Sequence, residues 1–363
     1  MIRLAKPNIT EEAINAVNEV LRSGNLVQGK YVAEFEENLK DYLGVNEAIV
    51  VTSGTAALHL SLIALDIQKG DEVIVPAFTF PATANVVELV GAKPVFVDIN
   101  LDDFCIDVNK IEKAITSKTT AIIPVHEFGQ SAQMDKILEI CNKYNLKLIE
   151  DAACALGTEY KNKKVGTFGD FGCFSFHPRK AITTGEGGVI ITNNKELAGK
   201  VRALRNHGIE LINGKVEFKY AGFNYRMTDF QAVLGIYQLK DFEKEITERI
   251  NQAEYYNNLL SEINWIKTPV TFSERKMTYQ TYHILVDDNI DRDNLLDYLI
   301  NNGVQVNFGA QALNVQDYYL KYKKENWFLN ANKAFRKGIA LPIGSYLKYD
   351  ELNMILFQLK QYV

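Results

Sequence analysis

Residues 174–188 read FSFHPRKAITTGEGG, a stretch that combines a strand pattern, a lysine and a glycine-rich turn. The apolar alternation up to Phe176 predicts a short strand, which is followed by Lys180 and then by the turn. A buried primary amine beside Ser175 and His177 could condense with an aldehyde, because burial disfavours the ammonium and lowers the pKa of the amine. Lysines are more often exposed on surface loops, so this stretch alone leaves both interpretations open.

Another strand and turn lie upstream, where the apolar run at residues 48–51 leads into Ser53-Gly54-Thr55-Ala56 and an apolar helix. A helix N-terminus offers free backbone N–H groups and about half a positive charge, and the hydroxyls of Ser53 and Thr55 add donors. The pattern indicates a phosphate site. An ordinary helix cap is the alternative.

Short β-rich runs alternate with helical patterns in this half of the chain, and they lie at residues 71–76, 94–98, 120–125 and 146–150. The alternation predicts an α/β fold, with a mostly parallel sheet flanked by helices. Ligands of such sheets gather at the carboxyl ends of the strands, and the last run delivers Asp151 to that edge. There Asp151 could face a cationic ring, or it could cap a helix at Ala152.

The length of 363 residues suggests two domains, at roughly 100–200 residues each. A long apolar-faced helix that begins near Phe230 runs into a charged segment, residues 241–249, which we interpret as the passage between them. We predict a large domain over residues 1–240 and a smaller C-terminal α+β domain over residues 241–363. The smaller domain is predicted to contain strands at 281–286 and 304–308 and helices at 292–301 and 350–362.

Composition argues against several kinds of partner. The net charge of −5, with lysine and glutamate interspersed, provides no basic field for nucleic acid or an anionic membrane. The cysteines lack a paired spacing, so the sequence signals neither a metal site nor disulfides. No apolar run approaches the roughly 18 residues of a membrane span, and the N-terminus lacks an apolar signal segment. The expected location is the cytoplasm.

The motifs occur in a fixed order: Ser53-Gly54-Thr55-Ala56, Asp151, Lys180 and Asn224-Tyr225-Arg226-Met227. With them the sequence resembles the DegT/StrS-type sugar aminotransferases from Pro7 to Leu341-Pro342. The resemblance is densest in GDEVIVPAFTFPATAN, IEDAACALG and FSFHPRKAITTGEGG. It implies the type I fold of pyridoxal-phosphate transferases, the cofactor pyridoxal 5′-phosphate and pyridoxamine 5′-phosphate as its intermediate form.

The resemblance also implies site residues. Lys180 would bind the cofactor's aldehyde as a Schiff base and move the proton, and Asp151 would face the pyridine nitrogen. The other cofactor contacts implied are Ser53, Gly54, Thr55, Ala56 and Ser175 at the phosphate, Phe80 on the ring, and Asn224 from the partner subunit of a homodimer. Many relatives carry glutamine or histidine at the position of Cys154, near the cofactor's O3′, so that contact is replaced or lost here.

Substrate contacts are expected at Gln28, His177, Asn307 and Phe308, with a packing role as an equal alternative for His177. Residues 305–314 read QVNFGAQALN, where many relatives show a His-Tyr…Pro…His pattern, so the acceptor pocket differs. Some relatives carry histidine in place of the lysine and dehydrate sugars, whereas Lys180 argues for transamination.

The implied reaction transfers an amino group, with glutamate as the expected donor, to the ketone of a nucleotide-linked keto-deoxy sugar for surface polysaccharide or glycan biosynthesis. One alternative acceptor is a smaller phosphorylated ketone, such as a keto-sugar phosphate or dihydroxyacetone phosphate. Another alternative is a regulatory or binding protein that keeps the fold without the chemistry.

Overall fold

The computed structural model describes residues 1–322 and 327–362. Their strands are β1 (Glu47–Val51), β2 (Glu72–Pro76), β3 (Phe78–Thr79), β4 (Lys93–Val97), β5 (Thr119–Ile122), β6 (Lys147–Asp151), β7 (Glu159–Tyr160), β8 (Lys163–Lys164), β9 (Phe171–Ser175), β10 (Gly188–Thr192), β11 (Ile209–Ile212), β12 (Lys215–Phe218), β13 (Ile266–Lys267), β14 (Arg275–Lys276), β15 (Tyr282–Val286), β16 (Gln311–Ala312) and β17 (Gly338–Leu341). Their α-helices are α1 (Glu11–Ser23), α2 (Lys30–Leu43), α3 (Gly54–Ala64), α4 (Ala82–Leu89), α5 (Val108–Ile111), α6 (Met134–Tyr144), α7 (Lys195–Arg205), α8 (Asp229–Lys240), α9 (Phe242–Leu260), α10 (Arg292–Asn301), α11 (Leu329–Lys337) and α12 (Tyr349–Gln361).

The central sheet has the order β1-β10-β9-β6-β5-β2-β4. Strands β9, β6, β5, β2 and β4 pair in parallel, whereas β10 runs antiparallel to both β9 and β1. Strands β2 and β10 are buried at every residue, because helices cover both faces of the sheet. The predicted α/β class with a mostly parallel sheet is confirmed.

The strand register brings the predicted motifs to one edge of this sheet. Val51 lies opposite Gly188, and Gly188 lies opposite Ser175 on its other side. Asp151 ends β6, which neighbours β9. The turn after β1, the end of β9 and Asp151 therefore meet at the carboxyl edge of the sheet, where parallel sheets bind ligands.

The C-terminal part contains the antiparallel sheet β13-β15-β17 together with α10 and α12. The predicted strand at residues 304–308 is wrong. That segment makes only isolated bridges, from Val304 to Ile2 and from Asn307 to Ala340, because it lies between the N-terminus and the end strand β17 instead of within a ladder.

Residues 242–249 of the segment predicted as an interdomain passage lie in α9, with Asp241 as its N-cap, and their role between two domains stays a prediction. Phe242, Ile246 and Ala253 are buried on one face of this helix, and Arg249 pairs with Glu245 one turn earlier at 2.7 Å. Charged residues fit a helix well when its apolar positions recur at helical spacing.

The division at residue 240 stays a prediction, and several pairings cross it. Ile2 bonds to Gly303 through its N–H at 2.7 Å, strand β14 pairs with β7, and β16 pairs with β3. The segments after residue 240 therefore pair directly with short strands that follow β2 and β6 along the chain.

Candidate active site

The turn after β1 begins helix α3. Ser53 is its N-cap, and the Ser53 Oγ accepts a hydrogen bond from the Ala56 N–H at 3.0 Å. The Thr55 side chain is exposed at the same helix end. The helix cap considered for this turn is therefore present, and it leaves the exposed Thr55 hydroxyl and the other N–H groups of the first turn available to an anion.

Two glycines allow the turn to pack against the ends of β9 and β10. A Cβ on Gly54 would lie 2.9 Å from the Ser175 Cβ, and a Cβ on Gly188 would lie 2.6 Å from the backbone carbon of Ser53. Such distances are too short for real side chains, so the close approach requires glycine. The approach brings Ser175 beside the turn at residues 53–56, which we call the phosphate turn, and the contact of both with a phosphate stays a prediction.

We expect Gly188→Ala to lower the free energy of unfolding by about 1–3 kcal/mol and to weaken binding at the phosphate turn, because the clash is with backbone. Urea unfolding and equilibrium dialysis with pyridoxal phosphate would measure both effects. The matched control is Gly199→Ala in α7, where nothing lies within 4 Å of the added Cβ. A helix-interior alanine should be neutral or stabilising there. If Gly188→Ala and Gly199→Ala had the same stability and the same affinity for pyridoxal phosphate, the close packing at Gly188 would be contradicted.

Asp151 is buried at the end of β6, with 4% of its surface exposed. Its Oδ2 accepts from the Thr83 hydroxyl at 2.8 Å, and its Oδ1 accepts from the Ala153 N–H at 3.2 Å. A turn follows in place of the helix that the alternative interpretation required. Burial raises the pKa of Asp151, although Thr83, Ala153 and Lys180 act against the rise. A bound cationic ring would favour the carboxylate.

Lys180 is half-buried in the turn that follows β9, and its Nζ donates to the Cys154 Sγ at 2.9 Å. A cleft lies beside it, and its lining includes Ala153, Cys154, Ser175 and Gln280. The structure therefore brings Lys180 together with Cys154 and Ser175, and their roles toward a cofactor stay predictions.

The expectation that burial lowers the pKa of Lys180 is wrong for the cofactor-free protein. Burial does lower this pKa, but Cys154, Glu127 and Asp151 face the amine and together raise it above its ordinary value. Three acidic groups outweigh desolvation because they stabilise the ammonium. Burial raises the pKa of the Cys154 thiol as well.

Two residues near Lys180 were missed by the sequence interpretation. Gln280 donates to the Arg179 carbonyl at 2.7 Å and accepts from the Ala181 N–H at 2.9 Å, so it fixes the lysine turn from 100 residues away. Glu127 is buried in the turn that follows β5. Its only signal in the sequence was a charged residue two positions after the apolar run at residues 120–125.

His177 shapes the lysine turn. Its Nδ1 accepts from the Arg179 N–H at 3.2 Å, and its carbonyl accepts from the Lys180 N–H at 2.8 Å. Burial lowers the pKa of His177, so the neutral ring that accepts this bond is favoured. These contacts support the packing alternative, and a substrate contact stays a prediction.

The other predicted substrate residues lie apart from the cleft. Gln28 is exposed in a loop that is held by Asp229, which accepts from the Gly29 N–H at 2.8 Å. Asn307 accepts from the Gly309 N–H, and the Phe308 ring packs 5.6 Å from the Phe335 ring. None of the predicted three is among the described residues that line the cleft. Their substrate roles stay predictions.

The remaining two predicted contacts are exposed in the single chain. Phe80 has 69% of its side chain exposed at the same edge, two residues before α4. Asn224 is also exposed, and the neighbouring Tyr225 carbonyl accepts from the Thr52 N–H at 3.1 Å. The Asn224 segment therefore passes close to its own phosphate turn.

No other chemistry stands out in the described ranges. Residues 1–322 and 327–362 contain no group of three or more His, Cys, Asp or Glu side chains that could hold a metal ion. Across the same ranges, no helix has both the length and the apolar character needed to cross a membrane.

The whole chain is similar to known aminotransferases. The model of the DegT/DnrJ/EryC1/StrS aminotransferase family matches residues 7–360. GDP-perosamine synthase of Caulobacter vibrioides is 37% identical, over 92% of this chain and 90% of its own. UDP-4-amino-4,6-dideoxy-N-acetyl-beta-L-altrosamine transaminase of Campylobacter jejuni is also 37% identical, over 98% and 94%.

Solved structures agree with the family match. Helicobacter pylori PseC, an aminotransferase involved in the biosynthesis of pseudoaminic acid, superposes with a TM-score of 0.93 at 31% identity, over 99% of this chain and 98% of that one. Similar solved chains include pyridoxal-phosphate and pyridoxamine-phosphate forms. The chain belongs to the DegT/DnrJ/EryC1/StrS aminotransferase family and is a pyridoxal-phosphate-dependent aminotransferase.

Proposed function

We propose that this enzyme transfers the amino group of L-glutamate to the ketone of a nucleotide-linked keto-deoxy sugar, in the biosynthesis of a surface polysaccharide or glycan. One observation carries the proposal: Lys180, Asp151 and the phosphate turn share one sheet edge in a chain similar over nearly its full length to enzymes named for GDP- and UDP-linked sugars. The cytoplasm stays the predicted location.

The residues at this edge fit pyridoxal phosphate. The first turn of α3, with Ser175 beside it, suits the phosphate, and the buried Asp151 carboxylate suits the protonated ring nitrogen. Lys180 lines a cleft with Cys154 and Ser175, and its amine would hold the aldehyde carbon. Phe80 and Cys154 would complete the contacts to the ring, and Asn224 would complete the phosphate site from the partner subunit.

When bound, pyridoxal phosphate supplies an electron sink that stabilises negative charge on the carbon beside the transferred amine. Asp151 holds the positive charge on the ring nitrogen, on which that stabilisation depends. Lys180 would hold the cofactor before the donor arrives, and its free amine would then move the proton between the substrate carbon and the aldehyde carbon of the cofactor. The Cys154 thiol and Gln280 orient the amine and its turn.

A substrate panel tests the acceptor. Purified enzyme with glutamate should form 2-oxoglutarate when a GDP- or UDP-linked 4-keto-6-deoxy sugar is supplied, with kcat/KM at least about tenfold above that for any keto-sugar phosphate. The preference is expected because the nucleotide adds binding energy remote from the ketone. Dihydroxyacetone phosphate as the best acceptor would contradict the proposal. The variant Lys180→Ala gives the background rate.

We also propose that the active unit is a homodimer. Several large apolar side chains are exposed in the single chain, which is a usual mark of an interface: Val27, Phe80, Leu211 and Phe218. The resemblance gives Asn224 a contact to the partner's cofactor, so each site would need both subunits.

Mixing two inactive variants tests the shared site. Asn224→Asp places a like charge beside the partner's phosphate, and Lys180→Ala removes the amine. A heterodimer of the two has one site with both lesions and one site with neither, so mixing should restore part of the wild-type activity, up to roughly one quarter if subunits pair at random. If heterodimers form and no activity returns, Asn224 acts within its own subunit.

A further inference from the structure

Glu127 is a buried carboxyl group that the mechanism above does not use. It begins the 3-10 turn Glu127–Gly129 after β5, and only 4% of its surface is exposed. Its Oε2 has no hydrogen-bond partner among residues 1–322 and 327–362. Burying a polar atom without a partner is costly, so the atom is expected to meet a ligand that the protein is built to bind.

The turn that carries Glu127 is held rigidly. Phe128 and Gly129 both have positive φ, at 58° and 89°. The Gly129 carbonyl accepts from the Thr158 hydroxyl at 2.8 Å and from the Thr278 N–H at 3.1 Å. A Cβ on Gly129 would lie 2.7 Å from the Thr278 Oγ1, so the approach requires glycine. The position of Glu127 is therefore fixed by its backbone.

Residues 278–280 connect the Glu127 turn to the turn that carries Lys180. Thr278 bonds to the Glu127 turn, and Gln280, two residues later, bonds to both neighbours of Lys180. On the other side, the His126 N–H donates to the Asp151 carbonyl at 3.0 Å. Glu127 thus lies between the elements that carry Lys180 and Asp151.

The titratable groups that face Glu127 are those of the site: Lys180, Asp151 and Cys154, with Cys105 behind them. Burial raises the pKa of Glu127 to about 8, although Lys180 acts against the rise. At neutral pH its carboxyl group therefore keeps its proton and can donate a hydrogen bond.

Strand order decides which edge of the cofactor Glu127 would meet. In the ring, the nitrogen lies opposite the aldehyde carbon; one edge between them bears the phosphate arm and the other bears the phenolic oxygen. The phosphate turn and Ser175 lie on the β9 side of β6, and Glu127 lies on the β5 side. With Asp151 at the nitrogen and Lys180 at the aldehyde carbon, Glu127 would lie on the side of the edge with the phenolic oxygen.

We propose that Glu127 is a further cofactor-binding residue, a neutral carboxylic acid that donates a hydrogen bond to the phenolic oxygen of the pyridoxal ring. The proposal rests on the site assigned above to Lys180 and Asp151. A hydrogen bond donated to the phenolic oxygen stabilises the negative charge of that oxygen. The oxygen then attracts the proton of the Lys180 nitrogen less strongly. Glu127 would therefore set the pH at which the bound cofactor changes its visible absorption.

The test is a spectroscopic pH titration of the holoenzyme and three variants, with no substrate present. Glu127→Leu removes the donor and should raise the transition pH by about one unit. Glu127→Gln keeps a neutral donor and should leave the transition close to wild type. The control Gln130→Leu alters the same buried turn, where Gln130 donates to the Val270 carbonyl at 3.2 Å, and should leave the transition unchanged.

Other outcomes overturn the proposal. No shift in Glu127→Leu means that Glu127 does not touch the phenolic oxygen. A downward shift in both Glu127→Gln and Glu127→Leu means that Glu127 is ionised and acts only as a negative charge. Either result leaves the assignments of Lys180 and Asp151 intact. A wild-type protein without a visible band would overturn those assignments together with this one.

Stability of the cofactor-free protein provides a second measurement. The unfolded chain releases the Glu127 proton near its ordinary pKa of 4.5, whereas the folded chain keeps it up to about 8. The folded state binds more protons in this window, so its stability falls as the pH rises. Glu127→Gln lacks this pH-dependent loss of stability. The melting temperature of the variant should therefore rise relative to that of wild type as the pH increases from 4.5 to 8. A constant difference across this window would show an ionised Glu127 and overturn the proposal.

Discussion

Replacing Lys180 with alanine should abolish amino transfer, with a loss in kcat of about 10⁴-fold or more, because the variant loses both the nucleophile and the proton shuttle. The protein should still fold, since Lys180 is only half-buried and its turn is held by Gln280 through backbone groups. Steady-state assays with glutamate and thermal unfolding would measure the two properties separately.

The neighbouring Arg179→Ala is the matched control for this variant. It removes an adjacent cation in the same turn, and its side chain is exposed. Its activity should stay within a few-fold of wild type, as is usual for an exposed surface substitution. If Arg179→Ala and Lys180→Ala lose activity equally, the turn matters through its structure and the lysine has no special role.

Replacing Asp151 with asparagine should lower kcat by about 10²–10³-fold, because preorganised charges of this kind contribute about 3 kcal/mol or more to the rate. The amide oxygen can still accept from the Ala153 N–H, and the amide NH2 can donate to the Thr83 hydroxyl oxygen, so the loop geometry is retained. It cannot stabilise the positive charge of the ring nitrogen. Cofactor affinity, measured by equilibrium dialysis, should change much less than kcat.

A hydroxyl deletion at Thr83 separates charge from packing. Thr83→Val removes the 2.8 Å bond to Asp151 and keeps the shape of the buried side chain. Its loss in kcat should be smaller than that of Asp151→Asn, because the carboxylate charge remains. Near-normal turnover of Asp151→Asn would show that Asp151 serves only to hold its turn.

Local patterns were sufficient to predict the elements that carry the site. The strand before Asp151, the strand before Lys180 and the turn at Ser53 each follow from apolar runs ended by small or polar residues. Their common edge follows from the parallel sheet, since parallel strands end at the same side. Gly54 and Gly188 were part of the quoted motifs, but the backbone approach that requires glycine became apparent only from the strand register.

Contacts between distant segments were not predictable in this way. Three such contacts depend on how separate loops meet above the sheet: the Lys180–Cys154 bond, the hydrogen bonds of Gln280 to the turn that carries Lys180, and the burial of Glu127. The direction of the Lys180 pKa shift was missed for the same reason: burial alone was considered, whereas the acidic groups that face the amine decide the sign. The helical recurrence of Phe242 and Ile246 places residues 242–249 in α9, whereas the sequence interpretation considered only the charge of this segment.

The most direct test of the central assignment is chemical labelling of the lysine. Sodium borohydride should bleach the visible band of the holoenzyme and fix the cofactor to the protein, and mass spectrometry of the digest should find the pyridoxyl group on Lys180. The chain offers many other lysines as internal controls. A pyridoxyl group on Lys180 alone is the result that we predict, and a label on any other lysine in its place would contradict the assignment of the site.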